Sequence, residues 1–472
     1  MDQSEFDLSF LEFELDLFGI KPHGITVWEW MRFHVYREIL TKKGLVDKAH
    51  PSVERNLSAY LRGGYLLLRN VVRQNPYLFS ESDFLFYGHP RRKLQSDGYW
   101  WDVYCDPIHK ECEYDYLQIE SNYDLKHYTP PRTENLSYLD IIDYTDFLKR
   151  QFGLVDVTLD RESRNAFDTA SQEISSRFGV EIDLAERARH HLRQRASRRP
   201  LYKKLLANVD PNLVVVVCSY GKETFIEVSK NQNIPVVELQ HGVIYDGHKG
   251  YSFPDDRTKD TFPDYLLTWG EFWGRDIEFP IPDDQVIPVG YPYLEQRRDH
   301  YADTESSEQI LFISQGTIGK ELSKFALEVG KHPNIDHDIV YKLHPGEYDR
   351  WQEEYPWLLD ADFKVIDSSE PPLYELFAKS SSQIGVGSTA VYEGLAYDLE
   401  TYVYDCPGSE ILEPLLDDGS ATLVSSADEL AETFGIGQST FDKERYFVTN
   451  ATQNICEELD GLADAGSSCQ SE

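Results

Sequence analysis

The stretch LVVVVCSYGKETFIEVSKNQNIPVVELQHG, residues 213–242, decides the fold. It predicts a Val-rich strand over Leu213–Cys218, a helix from Glu223 and a second strand over Pro235–Leu239. Short continuous apolar runs are typical of strands buried on both faces of a parallel sheet, and parallel neighbours need a long crossover, usually a helix. The stretch therefore predicts one β-α-β unit of an α/β protein.

The same alternation of short strands and helices extends in both directions. Further strands are predicted at 83–87, 264–269 and 285–289, and a second series at 309–314, 339–343, 363–366, 382–386 and 401–404. With 472 residues the chain is long enough for two cores. We expect two parallel sheets, each covered by helices on both faces.

The predicted organisation divides the chain into five segments. They are a helical N-terminal extension (1–75), a first α/β domain (76–296), a second α/β domain (309–436), a C-terminal helix (437–462, clearest from Phe441) and a disordered tail (463–472). Helices are predicted at 27–43, 54–72, 139–151, 161–178 and 184–206, and short strands and loops at 96–131. The charged stretch Arg297–Glu308 lacks apolar periodicity and is the predicted linker.

The charge balance is strongly acidic, with 46 basic and 82 acidic residues and a net charge of −36. Such an excess keeps a folded protein soluble where salt screens its self-repulsion, which predicts a halophilic source; an ordinary acidic cytosolic enzyme is the alternative. The charge argues against nucleic acid as a partner. No run approaches the roughly 18 apolar residues of a membrane span, and the N-terminus lacks the features of a signal peptide. We therefore expect a cytoplasmic protein.

The six cysteines are scattered and contain no CxxC pair. Zinc sites usually show paired ligands at short spacing, and disulfides are rare in the cytosol. The sequence therefore predicts free thiols and no metal or other cofactor.

The segment after the predicted strand 382–386 has the chemistry of an anion site. Gly387 permits close approach of a phosphate, and Ser388 and Thr389 offer hydroxyls and free N–H groups at a helix start. Glu393 lies one turn further, where a carboxylate can accept from ribose hydroxyls. Plain N-capping without a ligand is the alternative interpretation.

Two other strand ends of the second domain add to this site. His344 follows the strand at 339–343 and can donate to a phosphate oxygen, and Lys342 lies on the same strand face. Gly316 and Thr317 belong to a glycine-rich turn that lacks the P-loop spacing. We expect this turn to lie near the phosphates of a bound donor nucleotide, and we do not expect the protein to hydrolyse ATP.

His241 follows the strand at 235–239 and is the candidate catalytic base. Its ordinary pKa of about 6.5 suits removal of a proton from an acceptor hydroxyl near neutral pH. Asp246, Glu238 or Glu223 could orient the ring, and the sequence does not choose between them. A structural histidine at a strand end is the alternative.

Basic residues stand out against the acidic background between Arg187 and Lys204, where no acid occurs. Arg193, Arg195 and Arg198 of this stretch, and Arg91 and Arg92 earlier in the chain, could bind an anionic acceptor such as a lipid-linked phosphate, or membrane headgroups. Alternatively they form a solvated helix face paired with acids elsewhere.

The motifs Gln240-His241-Gly242, Lys342-Leu343-His344-Pro345 and Gly387-Ser388-Thr389 occur in this order over roughly 210–435. Together they resemble capsule polysaccharide biosynthesis proteins and CDP-glycerol glycerophosphotransferases, which are cell-surface polymer transferases of the GT-B fold. The acidic charge adds a haloarchaeal source to this expectation. The resemblance implies two facing Rossmann-like domains, with a His-Gly base in the first and a nucleotide pyrophosphate site in the second.

The function implied by this resemblance is transfer of a sugar from a nucleotide-sugar donor to a surface polysaccharide or a lipid-linked glycan. No metal is expected, and peripheral contact with the inner face of the membrane is compatible with such an acceptor. Val386 or Gly387 stands where the glycerophosphotransferases carry an acid, which favours a sugar over glycerol phosphate. Glycerol- or polyol-phosphate transfer, nonhydrolysing sugar-nucleotide epimerisation and a non-catalytic scaffold role stay as alternatives.

Overall fold

The computed structural model describes residues 8–46, 56–435 and 442–469. These residues divide into two compact units. The N-terminal unit comprises the described residues within 8–37, 49–293 and 448–472, and the C-terminal unit those within 38–48 and 294–447.

Fifteen strands are present in the described residues. They are β1 (Phe84–Tyr87), β2 (Lys93–Leu94), β3 (Trp100–Trp101), β4 (Tyr116–Glu120), β5 (Leu136–Tyr138), β6 (Leu213–Val217), β7 (Val236–Leu239), β8 (Tyr265–Thr268), β9 (Val286–Pro288), β10 (Gln309–Ile313), β11 (Asp338–Lys342), β12 (Lys364–Ile366), β13 (Ser382–Gly385), β14 (Glu400–Tyr404) and β15 (Thr422–Val424).

The helices are named in the same way. They are α1 (Ser9–Glu14), α2 (Trp28–Lys42), α3 (Leu57–Val72), α4 (Asp106–Glu111), α5 (Asp140–Gln151), α6 (Arg161–Phe178), α7 (Leu184–Val209), α8 (Glu223–Lys230), α9 (Pro292–His300), α10 (Gly319–Val329), α11 (Trp351–Glu354), α12 (Leu373–Lys379), α13 (Thr389–Leu395), α14 (Glu413–Asp417), α15 (Ala427–Thr433) and α16 (Ala451–Cys469).

The N-terminal unit contains a seven-stranded parallel sheet in the order β5-β4-β1-β6-β7-β8-β9. Leu85 of β1 lies opposite Val214 of β6, and Val215 lies opposite Val237 of β7. The chain first builds outward from β1 in one direction and then returns to its other side at β6. The gap between the ends of β1 and β6 is therefore the topological switch point, where ligands bind in open α/β sheets.

Both faces of this sheet are covered. One core packs side chains of β1 and β6 against α7 and α8, and the other packs the opposite face of the same strands against α4 and α16. Strand β6 reads Leu-Val-Val-Val-Val because every one of its residues is buried.

The C-terminal unit contains a six-stranded parallel sheet in the order β12-β11-β10-β13-β14-β15. Its switch point lies between β10 and β13, and Phe312 of β10 lies opposite both Tyr341 and Ile384. This is the strand order 3-2-1-4-5-6 of the Rossmann fold. The predicted α/β class is confirmed, with two Rossmann-like parallel sheets and a helical N-terminal region, and the GT-B architecture stays a prediction.

Several predicted boundaries differ from the structure. Helix α9 ends at His300, so the first residues of the predicted linker Arg297–Glu308 are helical. Helix α16 runs from Ala451 to Cys469, and Ala463 is buried with Ile455 and Leu459, so the predicted disordered tail begins inside a packed helix. The predicted limits at Glu54 and Phe441, the boundary at 436–437 and the last residues of the tail, 470–472, lie outside the described residues.

The prediction of free thiols is wrong for one pair. Cys112, at the end of α4, forms a disulfide with Cys456 of α16, with the two Cα atoms 5.6 Å apart. Cys105, Cys218 and Cys406 are free. The paired residues are 344 positions apart in sequence, so only the packing of α16 beside α4 brings them together.

A search of the described helices finds none that is long and apolar enough to cross a membrane.

Candidate functional site

Three loops of the N-terminal unit leave the sheet at its switch point or at the strand beside it. Gly88-His89 follows β1, Cys218 follows β6, and Gln240-His241 follows β7. The rings of His89 and His241 lie 6.3 Å apart in a stacked arrangement. Cys218 has a φ of 67°, which turns the chain sharply at the end of β6. The carboxyl ends of the strands therefore gather two histidines at one position.

His241 is held in a chain of hydrogen bonds with a tyrosine and a buried glutamate. Nδ1 of His241 lies 3.2 Å from the hydroxyl oxygen of Tyr251, and this hydroxyl donates to Oε1 of Glu238. Because the Tyr251 proton goes to the carboxylate, the neutral imidazole donates from Nδ1 to the Tyr251 oxygen. The lone pair of His241 is then on Nε2, where the hydroxyl of Tyr220 approaches within 3.0 Å.

The electrostatic surroundings keep this imidazole neutral. Burial lowers the pKa of His241 well below its usual 6.5, and repulsion from the neighbouring basic side chains of His89, His248 and Lys222 lowers it further. Burial also raises the pKa of Glu238, although Ser219 and Tyr251 donate hydrogen bonds to it. A neutral imidazole with its lone pair on Nε2 can accept a proton, so the arrangement has the form of a general base.

The backbone on either side of His241 is fixed by side chains. Gln240 accepts from the N–H of Trp269 at 2.8 Å and donates to the carbonyl of Gly242 at 2.8 Å. The hydroxyl of Tyr104 donates to the carbonyl of His241 at 2.7 Å. Gln240 therefore positions the histidine through its own amide.

Aromatic rings surround the same histidine. The rings of Tyr220 and His241 lie 5.6 Å apart, and those of Tyr220 and His248 lie 5.4 Å apart. Phe33 of α2 stacks on His248 at 5.0 Å and contacts Tyr220 at 4.3 Å. The N-terminal helical region thus contributes a ring to the wall of the site.

Of the three acids considered as orienting groups, only Glu238 connects to His241 by the hydrogen bonds described, through Tyr251. Asp246 accepts from the hydroxyl of Ser252 at 2.7 Å, and Glu223 accepts from the N–H of Gly221. A signal for Glu238 is present in the sequence, because it is the only charged residue in an otherwise apolar buried strand. Tyr251 and Tyr220 carry no comparable signal, and sequence reasoning missed them as well as His89 and Tyr104.

The C-terminal unit brings together three loops at its own switch point. The side chain of Gln315, after β10, donates to the carbonyl of Gly387, after β13, at 2.7 Å. Arg350 donates to the carbonyls of Gly316 at 3.2 Å and Gly346 at 3.1 Å. These bonds connect the loops after β10, β11 and β13, so the predicted donor residues Gly316, His344 and Gly387 lie on one edge of the sheet.

His344 caps the short turn that follows β11. Its Nδ1 accepts from the N–H of Gly346 at 3.1 Å, and its own N–H donates to the buried carboxylate of Glu347 at 2.7 Å. Because Nδ1 is the acceptor, the neutral ring carries its proton on Nε2. The exposed imidazole of His344 therefore presents an N–H donor, as the phosphate role requires.

Lys342 points away from the loops after β10 and β13. Its Nζ donates to the carbonyl of Ser368, beyond β12, and lies 5.6 Å from the centre of the Tyr348 ring. Burial lowers the pKa of Lys342 to about 8, and the charges of Glu370 and Asp367 oppose this shift. The lysine is thus drawn towards the β12 side of the sheet.

The loop after β13 begins a helix as predicted. The Ser388 hydroxyl accepts from the N–H of Ala390 at 3.2 Å and caps α13, which starts at Thr389. A Cβ on Gly387 would come 2.5 Å from the carbonyl oxygen of Gly408, so this glycine is required by close backbone packing. Thr317, on the neighbouring loop, is exposed, and Glu393 is half-buried one turn into α13.

The basic residues proposed to bind an anionic acceptor are mostly engaged within the N-terminal unit. Arg92 has a fully buried side chain that pairs with Glu120 at 2.9 Å and Asp106 at 3.4 Å, so its assignment to an anionic surface is wrong. Arg91 beside it is exposed.

The arginines of α7 hold neighbouring elements. Arg195 forms two 2.6 Å hydrogen bonds with Glu227 of α8, and Arg198 pairs with two aspartates of α5 at 3.0 and 3.1 Å. Arg193 donates to the carbonyls of Arg150 and Val155. These contacts agree with the alternative interpretation, in which the basic stretch pairs with acids elsewhere in the fold.

Comparison with known proteins finds distant likenesses only. No family model matches the chain, and no curated protein matches it. Among solved structures, the UDP-GlcNAc 2-epimerase from Methanocaldococcus jannaschii is 12% identical over 80% of this chain and 99% of its own, with a TM-score of 0.47. The spinosyn rhamnosyltransferase SpnG is 14% identical over 82% of this chain and 94% of its own (TM-score 0.40).

The wall teichoic acid polymerase TagF is 13% identical over 87% of this chain and 93% of its own, with a TM-score of 0.36. All three scores are below 0.5, so these likenesses carry no functional argument. The fold class rests on the strand orders given above.

Proposed function

We propose that this chain is a glycosyltransferase that moves a sugar from a nucleotide-sugar donor to a surface polysaccharide, such as a capsule, or to a lipid-linked glycan. The observation that carries the proposal is the neutral imidazole of His241, whose Nδ1 is fixed by Tyr251 and Glu238. Its basic Nε2 lies at the switch point of a Rossmann-like sheet, where substrates of such folds bind.

In the proposed reaction, His241 Nε2 removes the proton of an acceptor hydroxyl as that oxygen attacks the anomeric carbon of the donor. The acceptor hydroxyl replaces the Tyr220 hydroxyl that approaches Nε2 in the resting site. The glycosidic bond forms, the bond from the anomeric carbon to the donor phosphate breaks, and the nucleoside diphosphate leaves with its electron pair. Tyr251 and Glu238 stabilise the imidazolium that results.

The donor nucleotide belongs, in this proposal, to the switch point of the C-terminal unit. The N–H of the His344 ring, the loop at Gly316 and Thr317, and the hydroxyls of Ser388 and Thr389 would contact the phosphates, with Glu393 for the ribose. Support comes from the hydrogen bonds that connect these loops at one edge of the sheet. Lys342 would act on the phosphates only after leaving the carbonyl of Ser368. The proposed reaction uses no metal ion.

The proposal is tested first by nucleotide binding. Thermal shift with UDP, CDP, TDP and GDP should identify one that stabilises the protein, since a ligand at about 100 Kd adds about 2.7 kcal/mol to the free energy of unfolding. The double variant Ser388→Ala with Thr389→Ala should bind that nucleotide more weakly. The variant His241→Ala should bind the nucleotide as the wild type does but should no longer transfer the sugar to an acceptor.

Three results would each contradict the proposal in a different way. Turnover of the nucleotide sugar to an isomer without acceptor would indicate an epimerase, and transfer of glycerol phosphate from CDP-glycerol would indicate the polyol-phosphate alternative. If the protein binds none of these nucleotides, the non-catalytic scaffold role is the alternative that agrees with the result.

A further inference from the structure

Helix α3 presents its apolar side to solvent. The exposed fractions of its large apolar side chains range from 46% to 75%, for Leu57, Tyr60, Leu61, Tyr65, Leu68, Val71 and Val72. At 1.5 Å per residue, the 16 residues of α3 form a strip about 24 Å long. Contiguous apolar surface of this kind marks an interaction site in a soluble protein.

One face of α3 is buried against the protein, and the opposite face is exposed to solvent. Its buried residues, Gly63, Leu66 and Asn70, recur at spacings of three and four and so line one face. Leu57, Leu61, Leu68 and Val72 recur at multiples close to 3.6 and line the opposite face. The exposed apolar strip is therefore a second face of the helix, distinct from the face that packs against the protein.

Contacts with α5 fix which face is outward. The N–H of Ile141 donates to the side chain of Asn70 at 3.0 Å, and a Cβ on Gly63 would come 2.9 Å from the Tyr144 ring. A rotation of α3 that buried its leucines would break the Asn70 hydrogen bond and bring a residue with a Cβ against the Tyr144 ring, where Gly63 now lies. The strip is consequently presented by the fold.

The segment that carries the strip is basic, in contrast to the net charge of the whole chain. Arg62, Arg69 and Arg73 occur between positions 56 and 80, and no acid occurs there, in a protein of net charge −36. On the helix, Arg62 and Arg69 project from one flank of the apolar strip, between it and the buried face, and Arg73 caps the C-terminal end of the helix. Arg62 and Arg73 are exposed, whereas Arg69 is half-buried and contacts His127.

The apolar strip of α3 contacts α5 through one pair of aromatic rings. The ring of Phe147 on α5 lies 6.3 Å from that of Tyr60. Beyond Phe147 along the chain, Phe152 and Leu154 are 71% and 73% exposed. Helix α3 and the end of α5 therefore both carry apolar residues that are exposed to solvent.

We propose that α3, with the end of α5, docks on the surface of an anionic lipid bilayer. Amphipathic helices that lie in a membrane interface combine an apolar face with flanking arginines, which bind lipid phosphates, and tyrosine suits the interfacial depth. A symmetric pairing of two α3 helices is disfavoured, because the same strip of a second copy brings further arginines and no acid to the contact. This docking surface is independent of the proposed sugar transfer and of the basic stretch in α7.

Co-sedimentation with vesicles tests the proposal on the full chain. The vesicles consist of phosphatidylglycerol or of phosphatidylcholine, in about 0.15 M KCl. At this salt concentration the Debye length is about 8 Å, so only residues close to the membrane are attracted by the lipid charge. The wild-type protein should bind phosphatidylglycerol vesicles. Leu61→Gln with Leu68→Gln should lower the partition coefficient by about tenfold or more, because two exposed apolar side chains no longer enter the interface.

A charge variant and a matched control separate the two contributions. Arg62→Glu with Arg73→Glu should lower binding to phosphatidylglycerol by about tenfold or more. Leu359→Gln with Leu423→Gln removes two exposed leucines from the C-terminal unit and should leave binding unchanged. Circular dichroism should show the same fold for all variants, since every substituted side chain is exposed.

The outcomes against the proposal are distinct. Absence of wild-type binding, or equal binding by the Leu61/Leu68 variant, would overturn it. Light scattering could instead show that the wild type is a dimer, that the Leu61/Leu68 variant is a monomer, and that vesicles do not change either state. That result would assign the strip to an interface between two copies of the chain.

Discussion

The hydroxyl oxygen of Tyr251 lies 3.2 Å from Nδ1 of His241. The proton of this hydroxyl goes to Glu238, so the tyrosine oxygen faces the imidazole as an acceptor and defines its tautomer. A single phenol thereby determines which nitrogen of His241 can act as a base.

Tyr251→Phe should therefore lower kcat by about 10²-fold, which is the lower end of a general base contribution. The variant removes the acceptor for Nδ1–H and leaves Glu238 without one of its donors. Nucleotide affinity should not change, because Tyr251 lies outside the residues proposed to bind the donor. Tyr265→Phe, on β8 of the same sheet, is the control and should retain activity. Equal kcat for Tyr251→Phe and wild type would refute the role of the tyrosine.

The pH dependence of transfer follows from the lowered pKa of His241. A base acts when unprotonated, and this imidazole stays unprotonated until the pH falls well below 6.5. We expect kcat/KM to remain level as pH decreases through 6.5 and to fall only at lower pH. The measurement is a pH-rate profile with donor and acceptor. An acid limb centred near 6.5 would show that the titrating group is an unperturbed histidine, contrary to this site.

Arg92 and Arg91 are adjacent but should respond differently to substitution. Arg92→Ala should lower the free energy of unfolding by about 3–5 kcal/mol, since it leaves the buried carboxylates of Glu120 and Asp106 without their cation. Arg91→Ala removes an exposed side chain and should change the free energy of unfolding by no more than about 0.5 kcal/mol. Urea denaturation measures both. Similar values for the two variants would contradict the burial of Arg92.

The disulfide between Cys112 and Cys456 should contribute to the stability of the N-terminal unit. It closes a loop that spans most of the chain, and loss of such a bond costs about 2–5 kcal/mol. Cys456→Ser should lower the melting temperature under oxidising conditions and make it insensitive to reductant. Cys406→Ser, at a free cysteine, serves as the control. If the wild type melts identically with and without reductant, the disulfide does not contribute.

Local sequence predicted the repeated α/β pattern well. Strands such as Leu213–Val217 and Gln309–Ile313 are continuous apolar runs because both faces of a parallel sheet are buried, and that signal is present in the residues themselves. Strands β4 and β5 were harder to place, because Gln118, Glu120 and Ser137 interrupt their apolar residues. These polar side chains are buried where the fold supplies partners.

By itself, the sequence determined that the chain builds two parallel sheets and that His241 and His344 follow strand ends. Hydrophobic periodicity and turn chemistry are local properties, so they can be read without knowing the fold. Only the tertiary structure decided that Tyr251 connects His241 to Glu238, that Arg92 is buried, and that the leucines of α3 face outward. Those outcomes depend on which distant segments pack together, because an amphipathic pattern shows that a helix has two faces but not which face is covered.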